Sequence, residues 1–123
     1  MTGPAGEQVR LRLGPEITRV MRGRSTRAGR LLVTHTAPSP TGGGAPRVAV
    51  IASRRVGNAV ARNRCKRLLR EAARHCPIAP GTDVVLVARP PLAQARLPMV
   101  VDELQTHLGQ LEVLAATTAV ESA

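Results

Sequence analysis

The sequence predicts a single α/β domain, and three observations carry that prediction. Short apolar runs at "RLLVTHTA" (30–37), "RVAVIAS" (47–53) and "DVVLVAR" (83–89) have the length and Val/Ile/Leu content of strands. Around them lie stretches whose apolar residues recur at helical spacing. At 123 residues the chain is about one domain in size, enough to bury a modest core without disulfides or metals. Phe, Tyr and Trp are absent throughout, so that core must come from Leu, Val, Ile, Ala and Met.

Taken in order, residues 1–9 read as a tail, and the domain proper spans 10–114. In "PEITRVMRGR", Pro15 and Glu16 suit a helix start and Gly23 its end, with Ile17, Val20 and Met21 on the apolar face. The strand at 30–37 follows, then "PSPTGGGAP" (38–46), whose Pro and Gly mark a hairpin loop. The next strand, 47–53, is apolar without a break, which predicts burial on both faces for at least part of it. A further short strand fits between Arg54 and Asn58. A helix then starts at Asn58, "PIAPGT" interrupts the chain, and the strand at 83–89 ends at Pro90 and Pro91. Val100, Val101, Leu104, Leu108 and Leu111 place a packing helix over 98–114, and 115–123 reads as a second tail. The order is α-β-β-(β)-α-β-α.

The charge is lopsided. Eighteen basic residues against eight acidic ones give a formal net charge of +10. Every basic residue except Lys66 is arginine, whose planar fork binds phosphate bidentately. Six of the cations fall on one predicted helix, in "RVGNAVARNRCKRLLREAAR" (55–74). Asn58 is its N-cap candidate, and Ala61, Cys65, Leu68, Leu69, Ala72 and Cys76 form its apolar stripe. Arg62, Lys66, Arg70 and Arg74 follow one another at i, i+4, with Arg64 and Arg67 flanking them. Each such like-charge pair destabilises a helix by roughly 0.2–0.5 kcal/mol. Arg62 and Arg64 also stand near the positive end of the helix dipole. Helix stability does not account for this pattern, whereas a polyanionic partner does.

Catalytic and metal-binding signatures are missing. The triple glycine at 42–44 is not followed by the Lys-Ser/Thr of a phosphate loop. His35, His75 and His107 are scattered, and no serine stands in a nucleophile elbow. The carboxylates form no acid/base pair in the predicted layout, and Asp102 and Glu103 suit a helix first turn. Cys65 and Cys76 lie eleven residues apart, three helical turns, too far for a disulfide along one helix. They read as buried reduced thiols of a cytoplasmic protein. No apolar run has the length of a membrane span, and the start of the chain lacks a signal peptide's apolar core.

"ASRRVGNAVARNRCKRLLREAAR" (52–74) resembles the signature of the bacterial ribonuclease P protein component: a small residue and Ser, two basics, then G-N-A-V-x-R-N-R-x-K-R-L-x-R. "VRLRLGPEITRVMRGRSTRAGRLLV", "PGTDVVLVARPP" and "LPMVVDELQTHLGQL" are similar to other segments of that family, so the resemblance covers about residues 9–114. It implies an accessory protein to a catalytic RNA, in a ribonucleoprotein endonuclease that hydrolyses precursor tRNA to give the mature 5′ end. The RNA subunit and substrate would hold most of the Mg2+, and the protein would supply no catalytic residue. The implied partners are ribonuclease P RNA and precursor tRNA, one protein per RNA, with no membrane.

Position by position, the resemblance assigns RNA contacts to Arg54, Arg55, Asn58, Arg62, Asn63, Arg64, Lys66, Arg67 and Arg70. Because exposed basics contribute little to stability, loss of Arg62 and Arg64 together is expected to leave the fold intact. It also implies a cleft for the single-stranded 5′ leader, formed by the first helix and the sheet. Ile17, Met21, Leu32, Thr34, Arg47 and Val50 are the candidates for it. The family pattern has aromatics there, and this chain offers aliphatic residues instead; Ala49 replaces a glycine usual in the strand. The implied fold is a mixed sheet of about four strands with packed helices, similar to the second domain of a small-subunit ribosomal protein. It carries a left-handed β-α-β crossover, against the general right-handed rule.

Three other readings compete. A ribosomal or assembly protein sharing the fold would have the same charge but not this ordered motif. A DNA-binding helix would need a partner helix packed just before it. A membrane-surface helix would need bulkier apolar anchors than Ala and Cys.

Overall fold

The computed structural model describes residues 8–12 and 14–115. Five strands form one sheet: β1 (Val9–Arg10), β2 (Ser25–Ala28), β3 (Leu32–Pro38), β4 (Arg47–Ile51) and β5 (Thr82–Ala88). Their spatial order is β1-β4-β5-β3-β2. β1 and β5 run parallel to β4, while β3 runs antiparallel to both β5 and β2. The helices are α1 (Gly14–Arg22), α2 (Ala59–Arg74) and α3 (Leu97–Gln110). The predicted mixed sheet is therefore present, with two short strands, β1 and β2, that the sequence pattern did not signal.

The two faces of the sheet are covered unequally. Leu32, Val48, Val84, Leu86 and Ala88 join the main core with Cys65, Leu69 and Ala72 of α2 and Val100, Leu104 and Leu108 of α3. On the other face Ala49 and Val85 pack with Val20 of α1 and with Leu11, flanked by Ile17, Ala37, Ile51 and Val87. β4 carries apolar residues towards both faces, as its unbroken apolar run predicted, and β5 does the same. Both cysteines are buried and free. Burial raises both thiols, Cys76 to about 12, so neither is a ready nucleophile.

Three expectations change. The segment 38–46 is not a hairpin loop, because β5 lies between β3 and β4. The loop crosses the start of β5, where Gly81 donates to Gly44 O and accepts from Ser39 N, both at 2.8 Å. Nine residues easily span the two strand spacings, about 10 Å, that separate β3 from β4. The short strand expected between Arg54 and Asn58 is instead a 3-10 turn over Arg54–Val56, capped by Ser53 Oγ. Tail 1–9 is cut short as well: Val9 is in β1, and Gln8 Nε2 donates to Ala73 O at 2.7 Å. Ala115 of the second expected tail is held too, its N–H donating to Pro77 O, and residues 1–7 and 116–123 lie outside the described residues.

α3 is fixed by a polar clamp. Glu103 accepts the backbone N–H groups of Leu31 (2.9 Å) and Leu32 (3.0 Å). One turn on, buried His107 Nδ1 pairs with buried Thr34 Oγ1 at 2.8 Å. Burial holds His107 below its ordinary 6.5, with Arg27 adding and Glu103 opposing, and burial lowers His35 likewise. In the folded state these rings bind fewer protons than in the unfolded chain. Stability is therefore expected to fall as pH drops through 6.5 towards the folded values. Denaturant midpoints at successive pH values check this, and His107→Gln should flatten the slope.

Candidate nucleic-acid interface

The basic helix begins where the sequence placed it. Asn58 has extended backbone angles, and its Oδ1 accepts Ala61 N–H at 3.0 Å. Gly57 makes this entry possible. Its φ is +139°, and a Cβ there would stand 2.8 Å from Ala61 Cβ. The turn Arg54–Val56 leads into the helix with Arg54 and Arg55 exposed and Val56 buried. Val60, beside the cations at the start of α2, is 78% exposed.

Cys65, Leu69, Ala72 and Ala73 anchor one side of α2 in the core, which turns the cations outward. Asn63, Lys66, Arg67, Arg70 and Arg74 line a surface groove together with Arg10 of β1. Arg70 is held below the ordinary guanidinium value, by burial first and then by the charges of Arg10 and Arg74. Among the described residues the only carboxylate paired with a cation of this helix is Glu71, 2.9 Å from Arg74. A groove of like charges with so little neutralisation suits phosphates, and its four forked arginines can each bridge a pair of phosphate oxygens. Arg10 was missed from the sequence because only pairing with Arg47 and Val48 brings β1 beside α2.

Arg64 does something different from its neighbours. Its Nη1 donates to Ala93 O (2.8 Å) and Leu92 O (3.5 Å), and its Nη2 donates to Ala95 O (2.9 Å). The guanidinium caps the 3-10 segment Pro90–Gln94 and ties it to the start of α2. The expectation that Arg62 and Arg64 can be lost together without harm to the fold does not suit this geometry. Arg64→Ala is expected to cost about 2–3 kcal/mol of stability, since bonds to a charged group are each worth roughly 1.5–3. Arg62→Ala, which loses no such bond, should cost little; urea unfolding of the two single variants checks this.

The six cleft candidates do not share a surface. Ile17 and Met21 are on α1, and Met21 is exposed at the helix end. Leu32 and Val50 belong to the opposite face with α2 and α3, and Thr34 is bonded to His107 there. The residues of β3 on the α1 side are Val33, His35 and Ala37, one position out of phase with those expected. A run of three apolar residues, Leu31 to Val33, carries no alternation to set the phase. His35, on the α1 side, was not among the expected residues; its Nδ1 pairs with Thr26 Oγ1 of β2 at 3.0 Å. Arg47 is on the α1 side but engaged, with Nε and Nη2 on Asp83 (2.8 and 2.7 Å) and Nη1 on Glu16 (3.0 Å). Ala49 is buried beneath α1. Among the described residues no group of His, Cys, Asp and Glu could hold a metal ion. No helix among them is long and apolar enough to cross a membrane.

Fold and groove together define a small basic α/β protein built to present one cationic helix to a polyanion. The family model described as Ribonuclease P matches residues 6–112, and the chain belongs to that family. The ribonuclease P protein component of Dehalococcoides mccartyi is 34% identical over 105 residues, covering 85% of this chain and 86% of the relative. That of Beutenbergia cavernae is 42% identical, covering 81% and 87%. That of a Roseiflexus species is 36% identical, covering 92% and 93%. Among solved structures, the Staphylococcus aureus RNase P protein superposes with a TM-score of 0.74 at 24% identity, covering 88% of this chain and 99% of that one. The Thermotoga maritima RNase P protein gives 0.70 at 23%, covering 82% and 96%. At those identities the structural likeness speaks for the fold alone.

Proposed function

We infer that this chain is the protein subunit of a ribonuclease P ribonucleoprotein, and that the α2 groove is the surface that binds the RNA subunit. The observation that carries this is the groove of Arg10, Asn63, Lys66, Arg67, Arg70 and Arg74, set on the family's own motif and, among the described residues, almost free of carboxylates. The reaction is hydrolysis of a phosphodiester at the 5′ end of tRNA in its precursor, with the chemistry carried by RNA and its Mg2+. The protein's part is to neutralise phosphates, hold the RNA fold and retain substrate. The chain's own residues suit that division: the described carboxylates nearest the cations are engaged in ion pairs or are single, and the groove is cationic.

The leader of the precursor lies, in this reading, on the α1 side of the sheet, over Val33, His35 and Thr26 beside Ile17 and Met21. His35 supplies the one flat ring there, and burial lowers its pKa from the ordinary imidazole value, which favours the neutral form. The other contacts are aliphatic, so discrimination among leader bases is expected to be weak. Binding of the RNA subunit across a salt series tests the first part. Affinity should fall steeply with salt, because each neutralised phosphate releases counterions. A flat response would overturn the assignment of the groove.

A further inference from the structure

β2 is the outermost strand of the sheet, at the end opposite β1 and the α2 groove. Its segment reads "RSTRAGR": Arg24 precedes the strand, Arg27 lies within it and Arg30 follows it. All three are exposed. Among the described residues no carboxylate lies within ion-pair distance of any of them, whereas Arg19 and Arg47 on the α1 side are both paired with Asp83. Arg27 faces the α3 side, opposite Thr34, while its neighbour Thr26 pairs with His35 in the cleft. The strand is therefore the edge between the α1 face and the α3 face of the sheet.

Two arginines lie along this rim. Arg27 Nη1 donates to Thr26 O at 3.3 Å, and Arg89 Nη1 donates to Gly29 O at 2.9 Å. A peptide adding as a sixth strand would have to displace the Arg27 bond to Thr26 O, and a second copy of this chain would bring its own arginines against these. A phosphate chain needs neither change; the guanidinium N–H groups left over are its donors.

We propose that the β2 edge is a second RNA-binding surface, taking the single-stranded RNA that leaves the α1 cleft and holding its phosphates with Arg24, Arg27 and Arg30. The proposal rests on the reading of that cleft as the leader site. It extends the leader track around the sheet edge, about 19 Å from β1 by strand spacing, onto residues outside the α2 motif. Leader recognition in this chain then relies on charge along the rim, which compensates for the missing aromatics of the cleft.

The test uses holoenzyme reconstituted with a ribonuclease P RNA, and precursor tRNAs whose leaders are shortened one nucleotide at a time. With wild-type protein, substrate affinity should rise with leader length in two stages, the second for nucleotides beyond the cleft. Arg24→Gln/Arg27→Gln/Arg30→Gln should remove the second stage, roughly a tenfold loss on the long leader, and leave the short leader unchanged. The salt slope on the long leader should fall by about two units, at ~0.7 per phosphate contacted on a single strand. Arg24→Gln/Arg30→Gln, which keeps the Arg27 bond, provides the same readout should the triple variant fold poorly. Wild-type affinity on every leader would overturn the proposal and leave these arginines as guards against strand pairing. Equal loss on short and long leaders would also overturn it. Wild-type holoenzyme that ignores leader length altogether would instead refute the cleft reading beneath it.

Discussion

Asp83→Asn is expected to lower the unfolding free energy by about 3–5 kcal/mol, the cost of removing one partner from a buried ion pair. Asp83 is fully buried near the start of β5, and its carboxylate takes Arg47 from β4 bidentately and Arg19 from α1. Arg47 extends the network to Glu16 in the first turn of α1. Two strands and the helix are thus joined through one carboxylate on the less covered face. Asparagine matches the shape but has a single acceptor oxygen and no charge, so Arg19 loses its carboxylate partner and Arg47 keeps Glu16 alone. Arg19 Nε is already buried with no partner among the described residues, and only the Nη1 bond to Pro38 O, at 3.2 Å, remains to that side chain. Denaturant unfolding measures the effect, and a change below about 1 kcal/mol would contradict this account. Arg47→Met in the Asp83→Asn background should recover part of the loss, since it removes a stranded charge and keeps apolar volume.

The second large effect is on binding and has the opposite relation to stability. Lys66→Ala/Arg67→Ala/Arg70→Ala is expected to weaken binding of the RNA subunit by at least a hundredfold at moderate salt. Its salt slope should fall by two to three units, since each lost phosphate contact removes ~0.7–0.9. The same variant should unfold no more easily than wild type. Lys66 and Arg70 stand at i, i+4 on α2, and Arg70 already feels Arg10 and Arg74. Removing like charges relieves a few tenths of a kcal/mol per pair. A variant that loses affinity because it loses its fold would show that these side chains are structural. Arg64 provides the internal contrast, since its loss should cost stability first.

Part of this was legible in the sequence. α2 could be read from Asn58 and its apolar stripe because capping and helical periodicity are local signals, and both are realised. β4 and β5 could be read from unbroken apolar runs. The insertion of β5 between β3 and β4 could not, because Pro and Gly at 38–46 report that the chain turns and not which strand comes to lie beside which. β1 and β2 are two and four residues long and mostly exposed, so they carry no apolar pattern. The candidate site divided along similar lines. The motif identified which cations matter as a group. It did not separate Arg64 from its neighbours, because only the fold brings the carbonyls of Leu92, Ala93 and Ala95 within reach. The strand face of the cleft was misplaced by one residue, and with period-two geometry one residue exchanges every side chain.

The most direct test of the central claim is cleavage of precursor tRNA by a closely matched bacterial ribonuclease P RNA at low Mg2+, with and without this protein. The account predicts that wild-type protein restores correct 5′ cleavage and that Lys66→Ala/Arg67→Ala/Arg70→Ala, folded, does not. Folded wild-type protein that binds the RNA but restores nothing, or a groove variant that restores cleavage as fully as wild type, would contradict it.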